Sequence, residues 1–217
     1  CLLAALIGVW ERSILGYQAK AIIPYNSSLS RFVAHLQQVD CESNGKRVCV
    51  EGKELNYETA PIIFGEPGTN AQHAFFQMLH QGTTITPVQF IGVKKSHQED
   101  PLSQEAQTLL NHNLVAQMIA LAQGKEDLDP NKYFPGNRPS TLVLLDAITP
   151  ESIGALLAFY ENVIMFQGFL WNINSFDQEG VQLGKTLASS LGGDTSESDS
   201  NSKSCSDLLF ALSKIFL

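Results

Sequence analysis

Residues 21–36 read AIIPYNSSLSRFVAHL, an apolar run followed at once by a helix-like pattern. Pro24 limits the apolar run, and the side chains of Asn26, Ser27 and Ser28 can cap a helix N-terminus. Beyond them, apolar residues recur at the spacing i, i+3, i+4 and i+7, which predicts an amphipathic helix. The residues on that face are Leu29, Phe32, Val33 and Leu36. A strand joined directly to a helix is the unit from which α/β sheets are built.

The same alternation continues along the chain, with strands predicted at residues 61–64, within 83–93, at 141–145 and at 169–173. Helices are predicted at residues 69–82, 103–124, 149–166 and 181–191. In the first of these helices Thr69 and Asn70 are the candidate caps. Its candidate core residues are Phe75, Met78 and Leu79. The alternation predicts an α/β fold, a doubly wound and mostly parallel sheet flanked by helices.

The chain has 217 residues, of which 44% are hydrophobic, enough for one large core. Its formal net charge is −8, which argues against nucleic acid or an anionic membrane as a main partner, because both need basic patches. We expect one domain at residues 1–191, followed at 192–217 by a Ser-rich linker and a short C-terminal helix. The chain opens within an apolar, uncapped run at residues 2–10, which indicates a cut within a longer protein.

Cysteine and histidine positions favour neither disulfides nor a metal centre. The four cysteines, at positions 1, 41, 49 and 205, are scattered and form no C-x-x-C pair. We recognise no secretory signal and therefore expect a reduced, cytoplasmic protein. His73 and His80 lie two helical turns apart, but a metal site needs a third ligand that the sequence does not offer.

Gln38 and Glu42 lie four residues apart, on one side of a predicted helix that Gly45 ends. A carboxylate near the C-terminus of a helix is unfavourable, because the helix dipole is already negative there. A function would explain why this cost is tolerated. The alternative is an ordinary solvated helix end.

His73 lies one turn into a predicted helix, after the turn GEPGTN at residues 65–70. Backbone N–H groups at such a helix start can bind an anion, and a histidine there suits acid–base chemistry near neutral pH. The alternative is a hydrogen-bonded histidine with a purely structural role.

A polar segment follows the strand predicted at residues 169–173. Ligands of doubly wound sheets collect at the carboxyl ends of the strands, where this segment is expected to lie. Gln178 and Lys185 are seven residues apart, so we expect them on one helix face, pointing at one pocket. The alternative is a capping turn followed by a surface lysine.

Four segments together resemble the C-terminal part of the phosphoglucose isomerase family. They are LQQVDCESNGK at residues 36–46, GEPGTNAQHAF at 65–75, GNRP at 136–139 and NSFDQEGVQLGK at 174–185. Their order and spacing also fit the family, and the similarity extends to about residue 191. The resemblance implies the second sugar-isomerase (SIS) domain of a two-domain enzyme, with a flavodoxin-like sheet.

The resemblance implies interconversion of glucose 6-phosphate and fructose 6-phosphate, in glycolysis and gluconeogenesis, with no metal or organic cofactor. Glu42 is then the base that moves a proton between C1 and C2 of the open-chain sugar, through a cis-enediol(ate). His73 helps to open the sugar ring and is donated across the interface of a homodimer. Lys185 assists at the ring or hydroxyl oxygens. Gln38 and Gln178 orient the substrate and its phosphate.

Parts of the family pattern are missing from the chain. The Ser/Thr-rich phosphate loop of the first SIS domain and a Gly-Gly-Arg-aromatic-Ser segment do not occur in it. Val39, Cys41, Ala71 and Gln182 replace residues that are commoner in the family, although none of them is an implied catalytic position. We therefore expect the isolated chain to be inactive. The alternatives are a non-catalytic SIS module that binds a sugar phosphate and a purely structural dimerisation role.

Overall fold

The structure, a computed structural model, describes residues 1–191. The described chain forms two compact units, Cys1–Ser175 and a second that begins at Phe176. The predicted Ser-rich linker and short C-terminal helix, at residues 192–217, lie outside the described residues. The domain boundary after residue 191 stays a prediction.

A four-stranded sheet forms the centre of the first unit. Its strands are β1 (Ala19–Pro24), β2 (Ile62–Phe64), β3 (Val88–Val93) and β4 (Ser140–Leu145). They lie in the order β2-β1-β3-β4, and every neighbouring pair is parallel. This order matches the first four strands of the flavodoxin-like arrangement. The predicted α/β class with a parallel sheet is confirmed.

The helices of residues 1–191 flank this sheet or follow it. The α-helices are α1 (Leu2–Val9), α2 (Phe32–Leu36), α3 (Gly68–Ala74), α4 (Phe76–Gln81), α5 (Pro101–Gln123), α6 (Pro150–Leu170) and α7 (Gln182–Leu191). Two π-helical segments, Trp10–Ile14 and Gln37–Glu42, continue α1 and α2. Short 3₁₀ turns lie at Ser27–Leu29, Pro130–Lys132 and Glu179–Val181.

Each face of the sheet has its own core, because successive strand residues point to opposite faces. Ala21 and Ile23 of β1 belong to the core that α3, α4 and α5 cover, whereas Ile22 belongs to the core that α2 and α6 cover. The residues of the predicted helix face are confirmed as members of the second core; they are Leu29, Phe32, Val33 and Leu36. Helix α1 packs on α6.

The strand predicted at residues 169–173 is wrong. Helix α6 continues to Leu170, and Asn172 then adopts φ +52°. The Ile173 N–H donates to the Gly168 carbonyl at 3.0 Å and the Asn172 N–H to the Phe169 carbonyl at 3.1 Å. These two bonds form a Schellman cap. A short apolar run resembles a buried helix end as closely as it does a strand, so composition alone does not separate them.

The helix predicted at residues 69–82 differs in three respects. It begins at Gly68 after Pro67, without a side-chain cap, so Thr69 and Asn70 are not the caps. Phe75 has φ −140°, which divides the segment into α3 and α4. The division changes the buried face: Phe76 is 4% exposed and Met78 is 40% exposed. The prediction of Met78 as a core residue is therefore wrong.

Helix α6 is long and apolar enough, by length and composition, to cross a membrane. The core helix of a soluble protein passes the same test. In this fold the helix contributes Leu156, Tyr160 and Ile164 to the buried interior of the first unit. Packing on the sheet and on α1 accounts for these buried positions.

Candidate active site

Gln38 and Glu42 lie on the π-helical segment Gln37–Glu42, and both side chains are exposed. A π turn departs from regular α-helical hydrogen bonding, and such turns occur frequently at functional sites. Lys46 donates from Nζ to the backbone carbonyl of Glu42 at 2.9 Å, which places a cation beside this helix end. The structure therefore brings an amide and a carboxylate together on one solvent-facing turn.

A partly buried contact at one end and buried contacts at the other hold this turn. Gln37 donates from Nε2 to the Ile63 carbonyl of β2 at 2.9 Å. Asn44 has no exposed surface and donates from Nδ2 to the Ile164 carbonyl of α6 at 2.9 Å. Ser175 donates from Oγ to Asn44 Oδ1 at 2.6 Å. Glu42 thus lies between fixed points on β2 and α6, which restrict how far its backbone can move.

His73 is exposed near the end of α3. The preceding residue, Gln72, donates from Nε2 to Tyr25 Oη at 2.9 Å and ties α3 to the end of β1. Gly65, with φ +155°, lets the backbone after β2 pass close to the Ile22 carbonyl, where a Cβ would collide. These contacts place α3 against the sheet without using the histidine ring.

The sheet separates His73 from Glu42 within one chain. Helix α3 packs on the face that also holds α4 and α5, whereas α2 and its π-helical continuation lie on the face that holds α6. The two residues therefore lie on segments that pack on different faces of the sheet.

Gln178 and Lys185 belong to the second unit. Lys185 is exposed on α7, but Gln178 precedes the 3₁₀ turn Glu179–Val181 and has φ −141°. The prediction that both residues share one helix face is therefore wrong, because the helix begins only after Gln178. An i, i+7 spacing places two side chains on one helix face only when both residues lie inside one continuous helix.

The sequence interpretation gave no role to three residues that shape this site. Asp40, Asn44 and Ser175 are all buried, at 8%, 0% and 8% exposure. Asp40 and Asn44 alternate with the exposed Glu42 along the chain, and Ser175 lies 131 positions from Asn44. Polar residue types normally indicate solvent, so the sequence carries no signal for such buried anchors.

No group of three His, Cys, Asp or Glu side chains that could hold a metal ion occurs in residues 1–191. The cysteines of this range, Cys1, Cys41 and Cys49, are free thiols. Among the predicted site residues, Glu42 and His73 can transfer protons and Gln38 can form hydrogen bonds.

The sequence profile of the phosphoglucose isomerase family matches residues 1–209. The chain belongs to the phosphoglucose isomerase family. A glucose-6-phosphate isomerase of Treponema denticola is 60% identical over 190 residues, which are 86% of this chain and 36% of that protein. The corresponding protein of Chlamydia pneumoniae is 54% identical over 190 residues, with the same shares of each chain.

A solved structure agrees with this family assignment. The crystal structure of a glucose-6-phosphate isomerase from Chlamydia trachomatis superposes with a TM-score of 0.87 and is 50% identical. The match covers 97% of this chain and 41% of that one. The chain therefore spans about a third of the length of the curated relatives that it matches.

Proposed function

We propose that this chain forms part of a glucose-6-phosphate isomerase, which interconverts glucose 6-phosphate and fructose 6-phosphate in glycolysis and gluconeogenesis. Family membership and the names of the relatives support the reaction class. The observation that carries the proposal is the placement of Glu42: an exposed carboxylate on a π turn whose two ends are held by a partly buried and a buried hydrogen bond. A base that moves one proton between neighbouring carbons needs this kind of placement.

The proposed reaction needs one base and a few hydrogen-bond donors. Glu42 removes the proton from C2 of the open-chain aldose and returns it to C1, and the intermediate is a cis-enediol(ate). Gln38, one turn earlier on the same exposed side, is proposed to hold the substrate. No oxidant, metal or organic cofactor is required, because the proton and the electron pair stay within the substrate.

His73 is proposed to assist ring opening from a second subunit. Within one chain His73 and Glu42 lie on segments that pack on different faces of the sheet, and donation of one of them by a partner would bring both into one site. This geometry supports a homodimer, in which each active site takes Glu42 from one protomer and His73 from the other.

Lys185 is proposed to assist catalysis at the ring or hydroxyl oxygens of the sugar, and Gln178 is proposed to orient the substrate and its phosphate. Lys185 is exposed and cationic on a chain whose net charge is −8, so it supplies local positive charge for a phosphorylated sugar. Gln178 lies in the irregular segment before α7, so the geometry of that helix does not set the direction of its side chain. We place this enzyme in the cytoplasm, where its proposed substrates are metabolised.

The chain spans about a third of its relatives, and we propose that it is inactive alone. The test is to coexpress it with the part of the Treponema denticola enzyme outside the matched segment. This combination is the reconstituted enzyme. We expect it to convert fructose 6-phosphate to glucose 6-phosphate.

Glu42→Gln should lower kcat of the reconstituted enzyme by about 100-fold to 10,000-fold, the usual contribution of a positioned base. The matched control is Glu54→Gln, which changes another exposed glutamate, paired with Arg47 at the surface. Unchanged activity in Glu42→Gln would refute the base assignment. Tight binding of the sugar phosphate without turnover in the reconstituted wild type would favour the non-catalytic binding module instead.

A further inference from the structure

A small cavity with a mixed polar and apolar lining lies on the inner side of the π-helical turn that carries Glu42. Its volume is about 40 Å³, enough for one or two water molecules. Residues of β1, β2 and α6 line it together with Asp40 of the turn. Asp40 therefore faces the interior, whereas Glu42, two residues later, faces solvent.

Two acceptor atoms on the residues that line this cavity have no hydrogen-bond donor. Asp40 is 8% exposed and its Oδ1 is unpartnered; Gln167 is 5% exposed and its Oε1 is unpartnered. A buried acceptor without a donor costs free energy, so each of these two atoms favours a hydrogen nearby. A water molecule in the cavity can supply one, and so can a proton on Asp40, because a carboxylic acid donates where a carboxylate only accepts.

The cations at the cavity are already paired with other carboxylates. Lys20 Nζ lies 3.0 Å from Glu11 Oε2, and Arg12 Nη2 lies 2.6 Å from Glu58 Oε2. Within residues 1–191, no ion pair includes Asp40. Burial raises the pKa of Asp40 to about 7, and the charge of Lys20 opposes this rise only in part.

We propose that Asp40 is a positioning residue for Glu42: its neutral carboxyl group, hydrogen-bonded inside the cavity, holds the π turn that presents Glu42. The proposal rests on the proposed role of Glu42 as the base. When Asp40 ionises, the cavity gains a negative charge that Lys20, already paired with Glu11, balances only in part. Relief of that charge requires movement of the turn or entry of water, and either displaces the Glu42 backbone two residues away.

Titratable groups from three neighbouring segments face Asp40 across the cavity. They are Glu11 and Arg12 of the first π-helical segment, Tyr17 and Lys20 in and before β1, and Tyr160 of α6. Tyr160 donates from Oη to Gln89 Oε1 at 2.8 Å, and burial raises the pKa of its phenol above the usual range. Tyr160 therefore stays neutral, and its hydroxyl hydrogen is committed to Gln89 rather than to Asp40.

The protonation of Asp40 is tested directly by infrared spectroscopy of the 217-residue chain. Between about pH 5 and pH 9, the wild type should lose a carboxylic-acid carbonyl band that the Asp40→Asn variant lacks throughout. The matched control is Asp146→Asn, an exposed aspartate paired with Lys94 at 2.7 Å, which should keep the band. Absence of the band in the wild type overturns the proposal. The Gln167 amide then has the opposite orientation and donates from Nε2 to an ionised Asp40.

The positioning role is tested by the pH dependence of kcat in the reconstituted enzyme. Asparagine resembles the neutral acid, so Asp40→Asn should match the wild type below pH 6. Above pH 8 the variant should exceed the wild type in kcat by about tenfold, since small displacements of a base are costly. KM should be equal in both at each pH. A ratio of kcat values that stays constant across this range overturns the positioning role.

The two experiments separate this inference from the proposed function. If the reconstituted wild type has no isomerase activity, the proposed function fails. The positioning role of Asp40 then fails with it, independently of the infrared result. If activity is present and Glu42→Gln abolishes it, the proposed function stands and the kcat ratio decides the role of Asp40 alone.

Discussion

The side chains of Asn44 and Ser175 meet in the buried interior, where Ser175 Oγ donates to Asn44 Oδ1 at 2.6 Å. Asn44 in turn donates to the Ile164 carbonyl of α6 at 2.9 Å. Asn44 lies two residues after Glu42, and Ser175 follows the end of α6. These two bonds therefore fasten the helix end that carries the proposed base to the longest helix of this sheet face.

Removal of this contact should destabilise the chain. Asn44→Ala leaves the Ile164 carbonyl and the Ser175 hydroxyl without their partner, so the free energy of unfolding should fall by about 2–4 kcal/mol. Urea unfolding of the chain measures the change. Asn113→Ala is the matched control, because Asn113 donates to the Leu109 carbonyl at an exposed position. Equal effects of the two variants would contradict the anchoring role.

Ser175→Ala makes a smaller change at the same contact. It leaves Asn44 Oδ1 unpartnered while the bond to Ile164 remains, so the expected loss is about 1–3 kcal/mol. In the reconstituted enzyme this variant should lower kcat with little change in KM, because the backbone of Glu42 becomes less restricted. A change confined to KM would show that Ser175 affects substrate binding instead.

The sequence predicted most of the sheet because its strands are short apolar runs between turn residues. The run at residues 141–145 and the i, i+3, i+4, i+7 face from Leu29 to Leu36 were both placed correctly. The run at residues 169–173 is not a strand, because α6 ends there and Asn172 has a positive φ. Hydrophobic periodicity does not reveal such a backbone conformation. Local patterns report burial better than they report backbone conformation.

The candidate site was predictable in part. The exposed Gln38 and Glu42 share one helical turn, as the spacing indicated, but the π-helical form of that turn was not foreseen. Glu42 and His73 lie on segments that cover different faces of the sheet. Which face each crossover helix covers is decided by the topology of the fold, not by a local sequence pattern. The resemblance implies that His73 is donated across a dimer interface, and this role stays a prediction.

The conformation of Gly65 gives a prediction about the sheet. Its φ is +155°, and a Cβ there would collide with the Ile22 carbonyl of the neighbouring strand. Gly65→Ala should therefore lower the free energy of unfolding by about 3 kcal/mol or more. The matched control is Gly154→Ala in α6, where a Cβ meets nothing within 4 Å and alanine should stabilise the helix. Urea unfolding that gave both variants the same sign would refute this account.

The buried carboxyl of Asp40 should make stability depend on pH. Its pKa is raised to about 7 in the folded chain, so the folded state keeps a proton that the unfolded chain releases near pH 4. This group therefore favours folding below its ordinary pKa, and the benefit is lost as pH rises through about 7.

Asp40→Asn should remove that dependence. Between about pH 4 and pH 8 the wild type should lose up to about 4 kcal/mol of unfolding free energy from this group, while the variant loses none of it. Urea unfolding at the two pH values measures the difference. Asp146→Asn is the control, because its partner Lys94 lowers the pKa of this exposed carboxyl. Parallel pH profiles for wild type and Asp40→Asn would contradict a buried, raised pKa.

The proposed donation of His73 across a dimer interface predicts complementation between inactive variants. Reconstituted enzymes that carry Glu42→Gln or His73→Ala should each be weakly active. In a mixed dimer, one site combines the intact Glu42 of one protomer with the intact His73 of the other, and the second site lacks both. A random equal mixture should therefore recover about a quarter of the wild-type activity, since half of its dimers are mixed. A mixture of Glu42→Gln with Glu42→Ala restores no base and is the control. If tagged subunits exchange and activity does not return, both residues serve one site within a single chain or only one of them acts in catalysis.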